Sequence, residues 1–338
     1  RRNGETILKY VDLFFTWGEK QKKILVEKTS IPEKKIIVSG HPRFDLCKPK
    51  FKEFRLALLR NHIDTKNKYI LINSTFTAAN TFLSFDEEIK LRIDERGDNS
   101  LDVKYERKLY DYRKLLINYF YEAIKAINRI YPDLTIIFRP HPGENGEYYR
   151  RLFQKLNNVI VTGDGSAQEW ISESCMVLHH DCTTAVEAFF SEKFIISYCP
   201  IKDDDFVQSL PIEISSVAAN QDQLLKFISN TQDFLIEKEQ KKIACNYIRP
   251  IIANVDFESA EIIVKSLKNI NVESLEIPKF NVGIFIKATI RKFIKILKRD
   301  LNFSLFSKNK LKIRQNLKFP GLNKKEIEER ISLLRKID

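Results

Sequence analysis

Short apolar runs alternate with segments of helical periodicity between residues 69 and 200. The runs are rich in β-branched residues, as expected of strands buried on both faces of a parallel sheet, and they cover residues 69–73, 134–138, 159–162, 176–179 and 194–198. The helical patterns cover residues 105–130, 147–156, 167–172 and 183–190. This alternation predicts an α/β fold in which crossover helices connect the strands of a doubly wound sheet.

The flanking segments extend this pattern. Before residue 69 we predict strands at 11–16 and 36–39, a helix at 19–29 and a connecting helix at 51–63, which together resemble the end of another such unit. Residues 84–102 are rich in Asp, Glu and Arg, and we expect an exposed insertion or a mobile loop there. After residue 220, helices are predicted at 221–229, 234–247, 259–269 and 323–337, the last with Asn323 as its N-cap.

Composition limits the classes of protein to consider. The chain has 338 residues, 43% of them hydrophobic and 30% charged, which indicates a globular protein with room for two domains. No apolar run approaches the roughly 18 residues of a transmembrane helix. The five cysteines are scattered without a CxxC pair, so we expect reduced thiols and neither a disulfide framework nor a zinc site. The chain opens with Arg-Arg-Asn and no Met, so we expect a fragment whose beginning is missing.

The net charge of +12 is concentrated in one segment near the carboxyl end. Residues 279–318 hold twelve Lys and Arg and a single acid, Asp300, whereas the rest of the chain is close to neutral. In 280–305, Ile, Leu and Phe alternate with the cations in a loosely amphipathic pattern, which suits an anionic membrane surface. The alternative is a closing helix that crosses back to the first domain with its cations in solvent. The segment lacks the patterns of nucleic-acid modules, so we expect no nucleic-acid partner.

Three unusual loops follow predicted strands. They contain Asn73-Ser-Thr75-Phe-Thr, Arg139-Pro-His141-Pro and His180-Asp181-Cys-Thr-Thr. Because ligands of open α/β sheets bind outside the carboxyl ends of the strands, we expect all three loops on one rim.

The third loop has the composition of an anion site. The hydroxyls of Thr183 and Thr184 open a predicted helix, and Glu187 lies one turn further on, where a carboxylate could accept hydrogen bonds from ribose hydroxyls. The alternative is an ordinary N-cap followed by a first-turn acid. His180 and Asp181 could form an acid–base pair, although the imidazole could equally pack against the sheet.

His141 lies between two prolines, which restrict its backbone. At a strand end beside Arg139, its imidazole could donate a hydrogen bond to a phosphate or a leaving group, while the arginine adds a fixed positive charge. A tight turn with a capping imidazole is the alternative. The expected convergence of the three loops favours the functional interpretation.

The segments FRPHPGEN (138–145) and HHDCTTAVEA (179–188) resemble the bacterial surface carbohydrate biosynthesis proteins. This family belongs to the broader GT-B class, with the CDP-glycerol glycerophosphotransferases and the sialyl- and Kdo-transferases that carry an HP motif. Trp17-Gly18 and residues 40–45, 69–73 and 318–322 resemble further family segments, so the resemblance covers nearly the whole chain.

The resemblance implies a GT-B-like fold with two Rossmann-like domains, the first only partly present. The implied parts are residues 1–64 (the end of the acceptor-side domain and a linker), 65–275 (the nucleotide-donor domain) and 276–338 (a basic amphipathic helical tail). It implies that His141, Thr183 and Thr184 bind the nucleotide phosphates and that Glu187 meets the ribose. Arg139 and Glu144 would be their neighbours, and Asn73 and Thr75 would belong to the same nucleotide site. His141 and Asp181 are the catalytic candidates, and the resemblance implies that the catalytic base lies in the amino-terminal part that we expect to be missing.

The implied function is transfer of a sugar or sugar acid from a nucleotide-activated donor to a surface glycan or a lipid-linked acceptor, without a bound metal or a further cofactor. The expected location is cytoplasmic, peripheral on the inner face of the inner membrane. One alternative is a sugar-nucleotide 2-epimerase-like enzyme, which needs no acceptor. Another is a non-catalytic scaffold that binds anionic lipid through its tail.

Overall fold

The computed structural model describes residues 8, 10–60, 68–96, 101–230, 238–270, 282–283, 285–290, 293–294, 321 and 323–337. The strands in this part of the chain are β1 (Phe14–Thr16), β2 (Ile36–Val38), β3 (Tyr69–Asn73), β4 (Thr135–Arg139), β5 (Val159–Val161), β6 (Ser174–His179), β7 (Phe194–Tyr198) and β8 (Ser216–Ala218). They form two separate sheets, one of two strands and one of six.

The helices before β6 are α1 (Glu19–Lys28), α2 (Pro42–Asp45), α3 (Lys52–Leu59), α4 (Phe85–Arg96), α5 (Val103–Ile130), α6 (Gly146–Leu152) and α7 (Ala167–Glu173). Those after β6 are α8 (Thr184–Phe190), α9 (Ser209–Glu213), α10 (Gln221–Asn230), α11 (Lys238–Ile248), α12 (Ser259–Lys268) and α13 (Lys324–Leu334). Short 3₁₀ turns cover Glu33–Lys35 and Pro49–Phe51.

The larger sheet is entirely parallel, with the strand order β5-β4-β3-β6-β7-β8. Its first strand along the chain lies in the middle, with two strands on one side and three on the other. This is the Rossmann order, in which ligands bind at the carboxyl ends of the central strands where the chain changes direction. Asn73 of β3 lies opposite Arg139 of β4, so these two strand ends are level. The predicted α/β, Rossmann-like fold is confirmed.

Helices cover both faces of this sheet. In β3, Ile70 and Ile72 face the core formed with α5, α6 and α10. Leu71 faces the opposite core, formed with α3, α7, α8 and α11. Every residue of β3 is buried, which explains why the sequence shows a continuous apolar run there and no alternation.

The amino-terminal segment packs against residues near α12. A Cβ on Gly40, which has φ +74°, would lie 2.2 Å from Oδ1 of Asn254, so this close approach requires glycine. The buried carboxylate of Asp45 accepts hydrogen bonds from the backbone N–H groups of Ser259 and Ala260, 3.1 and 3.0 Å away. Asp45 therefore caps α12 from a distant part of the chain. The predicted domain boundaries at 64 and 275 stay predictions.

The structure corrects the loop expected at 84–102, because α4 occupies part of it. Ser84 and Glu87 form a reciprocal capping box: the Glu87 carboxylate accepts from the Ser84 N–H at 2.9 Å, and the Glu87 N–H donates to the Ser84 hydroxyl at 3.3 Å. Leu91 is buried against Leu83. The high charge content of the segment thus belongs largely to helix α4.

Two further differences are small. The three-residue strand β8 was not predicted, because Ser-Val-Ala is too short to show a pattern. The predicted helix at 234–247 is α11, which begins at Lys238, and residues 234–237 lie outside the described residues. Most of the basic segment 279–318 also lies outside them. In the described part of the chain, no helix is both long enough and apolar enough to cross a membrane.

Candidate functional site

The three predicted loops meet at the carboxyl ends of β3, β4 and β6, the three central strands of the sheet. A direct hydrogen bond joins the first loop to the third: the Thr75 hydroxyl donates to Asp181 at 2.9 Å. Another contact joins the first loop to the second, with the Thr77 hydroxyl 3.2 Å from Nδ1 of His141. The predicted convergence on one rim is therefore observed.

Glu144 fixes the first loop against the second. Its buried carboxylate accepts hydrogen bonds from the Ser74 hydroxyl at 2.6 Å, the Phe76 N–H at 2.6 Å and the Tyr149 hydroxyl at 2.8 Å. Burial raises the pKa of Glu144 to about 7, against the opposing effect of these donors. Since the carboxylate already accepts three hydrogen bonds inside the protein, Glu144 supports the loops that carry the neighbouring residues.

His141 lies at the surface of the rim. Its Nδ1 accepts the backbone N–H of Gly143 at 3.0 Å, so in the neutral ring the proton resides on Nε2. Its own backbone N–H donates to the Ser74 hydroxyl at 3.2 Å. A Cβ at Gly143 would lie 3.0 Å from the Thr77 methyl group, and glycine allows this close packing. The loop thus orients the His141 ring so that its Nε2–H can act as a hydrogen-bond donor.

Arg139 is buried behind this surface. Its guanidinium donates to the backbone carbonyls of Asp164 and Gly165 at 2.6 and 3.0 Å, and lies over the Trp170 ring. Burial lowers the pKa of Arg139 to about 10, which still leaves it charged at neutral pH. Arg139 therefore holds the loop after β5 and contributes positive charge from the interior. A direct contact with a ligand stays a prediction.

Asp181 is held rigidly in the third loop. Arg113 of α5 donates to both of its carboxylate oxygens, at 3.0 and 2.8 Å, and the Gln208 N–H lies 3.3 Å from Oδ2. Burial opposes ionisation of Asp181, but the hydrogen bonds and the charge of Arg113 outweigh it, and the pKa falls below its ordinary value. These contacts suit a positioning residue, and the predicted catalytic role of Asp181 stays a prediction.

The two histidines before Asp181 point into the protein. His179 accepts the Cys182 N–H on Nδ1 at 3.2 Å and contacts the Ser215 hydroxyl with Nε2 at 3.0 Å. His180 contacts the Tyr198 carbonyl and the Tyr112 hydroxyl, each at 3.0 Å. Burial lowers the pKa of His179 to about 3 and also lowers that of His180. The packed-imidazole alternative therefore describes both, because the two ring nitrogens of His180 contact Tyr112 and Tyr198 and neither contacts Asp181.

The two threonines occupy different environments. Thr183 is exposed at the start of α8 and its side chain makes no capping hydrogen bond, so the N-cap alternative does not describe its hydroxyl. The Thr184 hydroxyl accepts from Asn73 Nδ2 at 3.0 Å and lies 3.1 Å from the Cys182 sulfur. Asn73 thus links β3 to the beginning of α8, next to the exposed Thr183.

Glu187 has a partner that the sequence did not reveal. Its carboxylate is 3% exposed and forms an ion pair through Oε1 with Arg43 of α2, whose side chain is 57% exposed. Burial raises the pKa of Glu187, and the charge and hydrogen bond of Arg43 oppose that increase. Arg43 belongs to residues 40–45, one of the segments that carry the family resemblance, but no local pattern connects it to an acid 144 positions away.

The elements at the rim thus provide two hydrogen-bond donors and one acceptor. His141 and Thr183 are exposed and carry an N–H and a hydroxyl, while the second oxygen of Glu187, Oε2, is buried without a hydrogen-bond partner in the described part of the chain. Donors and an acceptor of this kind suit a ligand that combines an anion with hydroxyl groups. Within the same residues, no three His, Cys, Asp or Glu side chains are grouped so that they could hold a metal ion.

No protein-family model and no curated protein matches the chain. Among solved structures, it is similar to the wall teichoic acid polymerase TagF, with a TM-score of 0.47 and 13% identity, over 76% of this chain and 56% of that one. It is also similar to UDP-GlcNAc 2-epimerase from Neisseria meningitidis bound to UDP-GlcNAc, with a TM-score of 0.43 and 15% identity, over 76% of this chain and 62% of that one. The chain thus spans less than two thirds of either protein, and the Rossmann-like assignment rests on its own strand order.

Proposed function

We propose that this chain is the nucleotide-binding part of a glycosyltransferase of bacterial surface polysaccharide synthesis. The enzyme would transfer a sugar or sugar acid from a nucleotide-activated donor to a glycan or a lipid-linked acceptor. One observation carries the proposal: the loops of His141 and Thr183 follow β4 and β6 at the edge where a sheet of this strand order binds its ligands, and Glu187 follows on α8 with a buried oxygen that has no hydrogen-bond partner among the described residues. The resemblance of the 138–145 and 179–188 segments to surface carbohydrate biosynthesis proteins supplies the reaction class.

The donor groups on the rim suit the phosphates of the nucleotide. The Nε2–H of His141 and the Thr183 hydroxyl would donate to phosphate oxygens, with the buried charge of Arg139 behind them. Oε2 of Glu187 would accept a hydrogen bond from a ribose hydroxyl. A nucleotide would thereby supply the hydrogen bond that this buried oxygen lacks.

The proposed reaction is a direct displacement at the anomeric carbon of the donor. The acceptor hydroxyl gives its proton to a general base and forms the new carbon–oxygen bond while the bond to the nucleotide phosphate breaks, and negative charge develops on the leaving phosphate. Hydrogen-bond donors that are already oriented toward this charge lower the barrier, which is the task proposed for His141. The reaction proposed here uses no bound metal and no further cofactor.

A thermal-shift panel of CMP, CDP, UDP and GDP tests the proposal. A ligand that binds only the folded chain raises its stability by about 2.7 kcal/mol at 100 times its Kd, so one base should raise the melting temperature clearly above the others. Assays with the corresponding activated sugar should then show acceptor-dependent release of nucleotide. If calorimetry detects no binding of any nucleotide, the proposal fails and the result favours the alternative of a non-catalytic scaffold. Interconversion of a UDP-sugar without an acceptor would indicate the epimerase alternative.

We further propose that the basic segment 279–318 binds the anionic inner face of the inner membrane. In its described part, several large apolar side chains are exposed, and Val282, Ile286, Ile290 and Ile294 recur every four residues. Each Lys or Arg near an anionic surface contributes about 1 kcal/mol. Deletion of the residues after Pro278 should abolish co-sedimentation with vesicles containing phosphatidylserine and leave nucleotide binding intact. Unfolding of the truncated chain would instead assign the segment a structural role.

A further inference from the structure

We infer that Arg43 is a positioning residue that orients Glu187 so that Oε2 is left to accept a hydroxyl of the ligand. This inference rests on the proposed function, because the ligand hydroxyl is taken to be that of a nucleotide ribose. Arg43 belongs to the amino-terminal segment, whereas Glu187 lies on α8 beneath the rim. Binding of the ribose hydroxyl would thus depend on Arg43, although the other site residues belong to the six-stranded sheet and its connections.

The backbone of Arg43 is held from two sides. Its N–H donates to Nδ1 of His41 at 3.0 Å, and its carbonyl accepts from Nε2 of Gln168 on α7 at 3.0 Å. The guanidinium then reaches Oε1 of Glu187. An arginine fixed at both backbone groups contacts the carboxylate from a defined direction, and this contact determines how the carboxylate is turned.

The two oxygens of Glu187 are therefore not equivalent. Oε1 is bound by Arg43, whereas Oε2 is buried and has no hydrogen-bond donor among the described residues. Buried carboxylate oxygens are normally hydrogen-bonded, so this oxygen indicates a donor beyond the described residues, and we take that donor to be the ligand. A ligand hydroxyl is an uncharged group that can donate this hydrogen bond. In a nucleotide, the ribose carries such hydroxyl groups close to the phosphates, and the phosphates suit the donors of the rim.

Arg43 also favours the ionised form of Glu187. The titratable and charged groups that act on this carboxyl are Arg43 from α2, Arg139 from β4, and the thiols Cys47 and Cys182 from the adjoining loops. Of these, Arg43 makes a direct hydrogen bond with the carboxylate and Arg139 acts by charge alone. Removal of Arg43 would therefore increase the protonated fraction, and a protonated carboxyl accepts hydrogen bonds more weakly.

A merely structural ion pair between α2 and α8 would have a different effect. It would change stability, and binding of every nucleotide would change to the same extent. A positioning role predicts a selective loss, confined to the hydroxyl that Glu187 binds. The two interpretations are separated by comparing a ribonucleotide with its deoxy analogues.

The experiment measures calorimetric Kd values for the nucleotide identified by the panel and for its 2′-deoxy and 3′-deoxy forms. Wild-type protein should prefer the ribonucleotide over one deoxy form by about tenfold, as expected for one hydrogen bond to a charged group. Arg43→Ala should reduce this preference below about threefold, and Arg43→Lys should retain part of it. The matched control is Lys52→Ala. Like Arg43, Lys52 belongs to the amino-terminal segment and has a half-exposed side chain, 52%, but it pairs with Glu173. It should leave the preference unchanged.

A pH series adds a second readout. In Arg43→Ala part of the preference for the ribonucleotide should return as the pH is raised, because burial raises the pKa of Glu187 and deprotonation restores a charged acceptor. Glu187→Gln should lack the preference at every pH tested. An unchanged preference in Arg43→Ala would overturn the inference while leaving the proposed function intact. Failure of the wild type to bind any nucleotide would instead overturn the proposed function.

Discussion

Replacement of His141 by alanine is expected to slow donor turnover by about 10²–10³-fold, the typical effect of removing one oriented donor to a developing negative charge. The side chain is exposed, and its ring contacts include Thr77 and Gly143 of the rim loops. Its loss should therefore leave the unfolding temperature close to that of the wild type. The measurement is nucleotide release from the activated donor, with acceptor present, together with a thermal melt.

Two further variants make this result specific. His141→Gln places an amide N–H near the position of Nε2 and should restore part of the lost rate. Glu147→Gln changes an exposed residue of α6 that pairs with Arg150 and Arg151, and should behave as wild type. Wild-type turnover in the alanine variant would show that the imidazole has no part in the reaction.

Replacement of Asp181 by alanine should lower the free energy of unfolding by about 3–5 kcal/mol, because it leaves a buried arginine without its partner. Arg113 and Asp181 are 9% and 1% exposed, and two hydrogen bonds join them. Thr75 and Gln208 would lose an acceptor at the same time. Urea denaturation of both proteins measures the difference.

Control measurements separate the buried pair from ordinary surface charge. Arg150→Ala breaks an exposed ion pair and should change stability by less than about 1 kcal/mol. Because the pKa of folded Asp181 is lowered, its contribution is fully present above the unfolded pKa of about 3.9 and is lost as the pH falls through the folded pKa. The difference between wild type and Asp181→Ala should therefore shrink below about pH 4. A difference that is independent of pH would contradict an ionised pair.

The strands of the large sheet could be predicted because their signal is local. Tyr69–Asn73 and Phe194–Tyr198 were located to the residue, since each is a short apolar run with polar residues or turns at both ends. The convergence of the rim loops followed from the parallel order of the strands. Helix α4 was not predicted although Ser84 and Glu87 carry the capping-box pattern, because the charged composition of the segment is also typical of exposed loops.

The partners of the site residues could not be predicted, because they depend on contacts between distant parts of the chain. Arg113 and Asp181 are 68 positions apart, and nothing in either segment specifies the other. Burial has the same origin: Arg139 ends β4 and Glu144 lies in the loop after it, on either side of an exposed histidine, yet both are buried and bind other loops. Sequence patterns thus located the rim, and three-dimensional packing decides which of its residues reach a ligand.

The cap that Asp45 places on α12 has a consequence for biosynthesis. Ser259 follows Asp45 by 214 residues, which at about 5–20 residues per second takes a ribosome about 10–40 s to synthesise. During that interval Asp45 cannot make this contact, and Gly40 cannot pack against Asn254. The apolar side chains around them, such as Phe44, are meanwhile exposed to chaperones and proteases. The amino-terminal segment therefore cannot finish folding until nearly all of the Rossmann-like domain has left the ribosome.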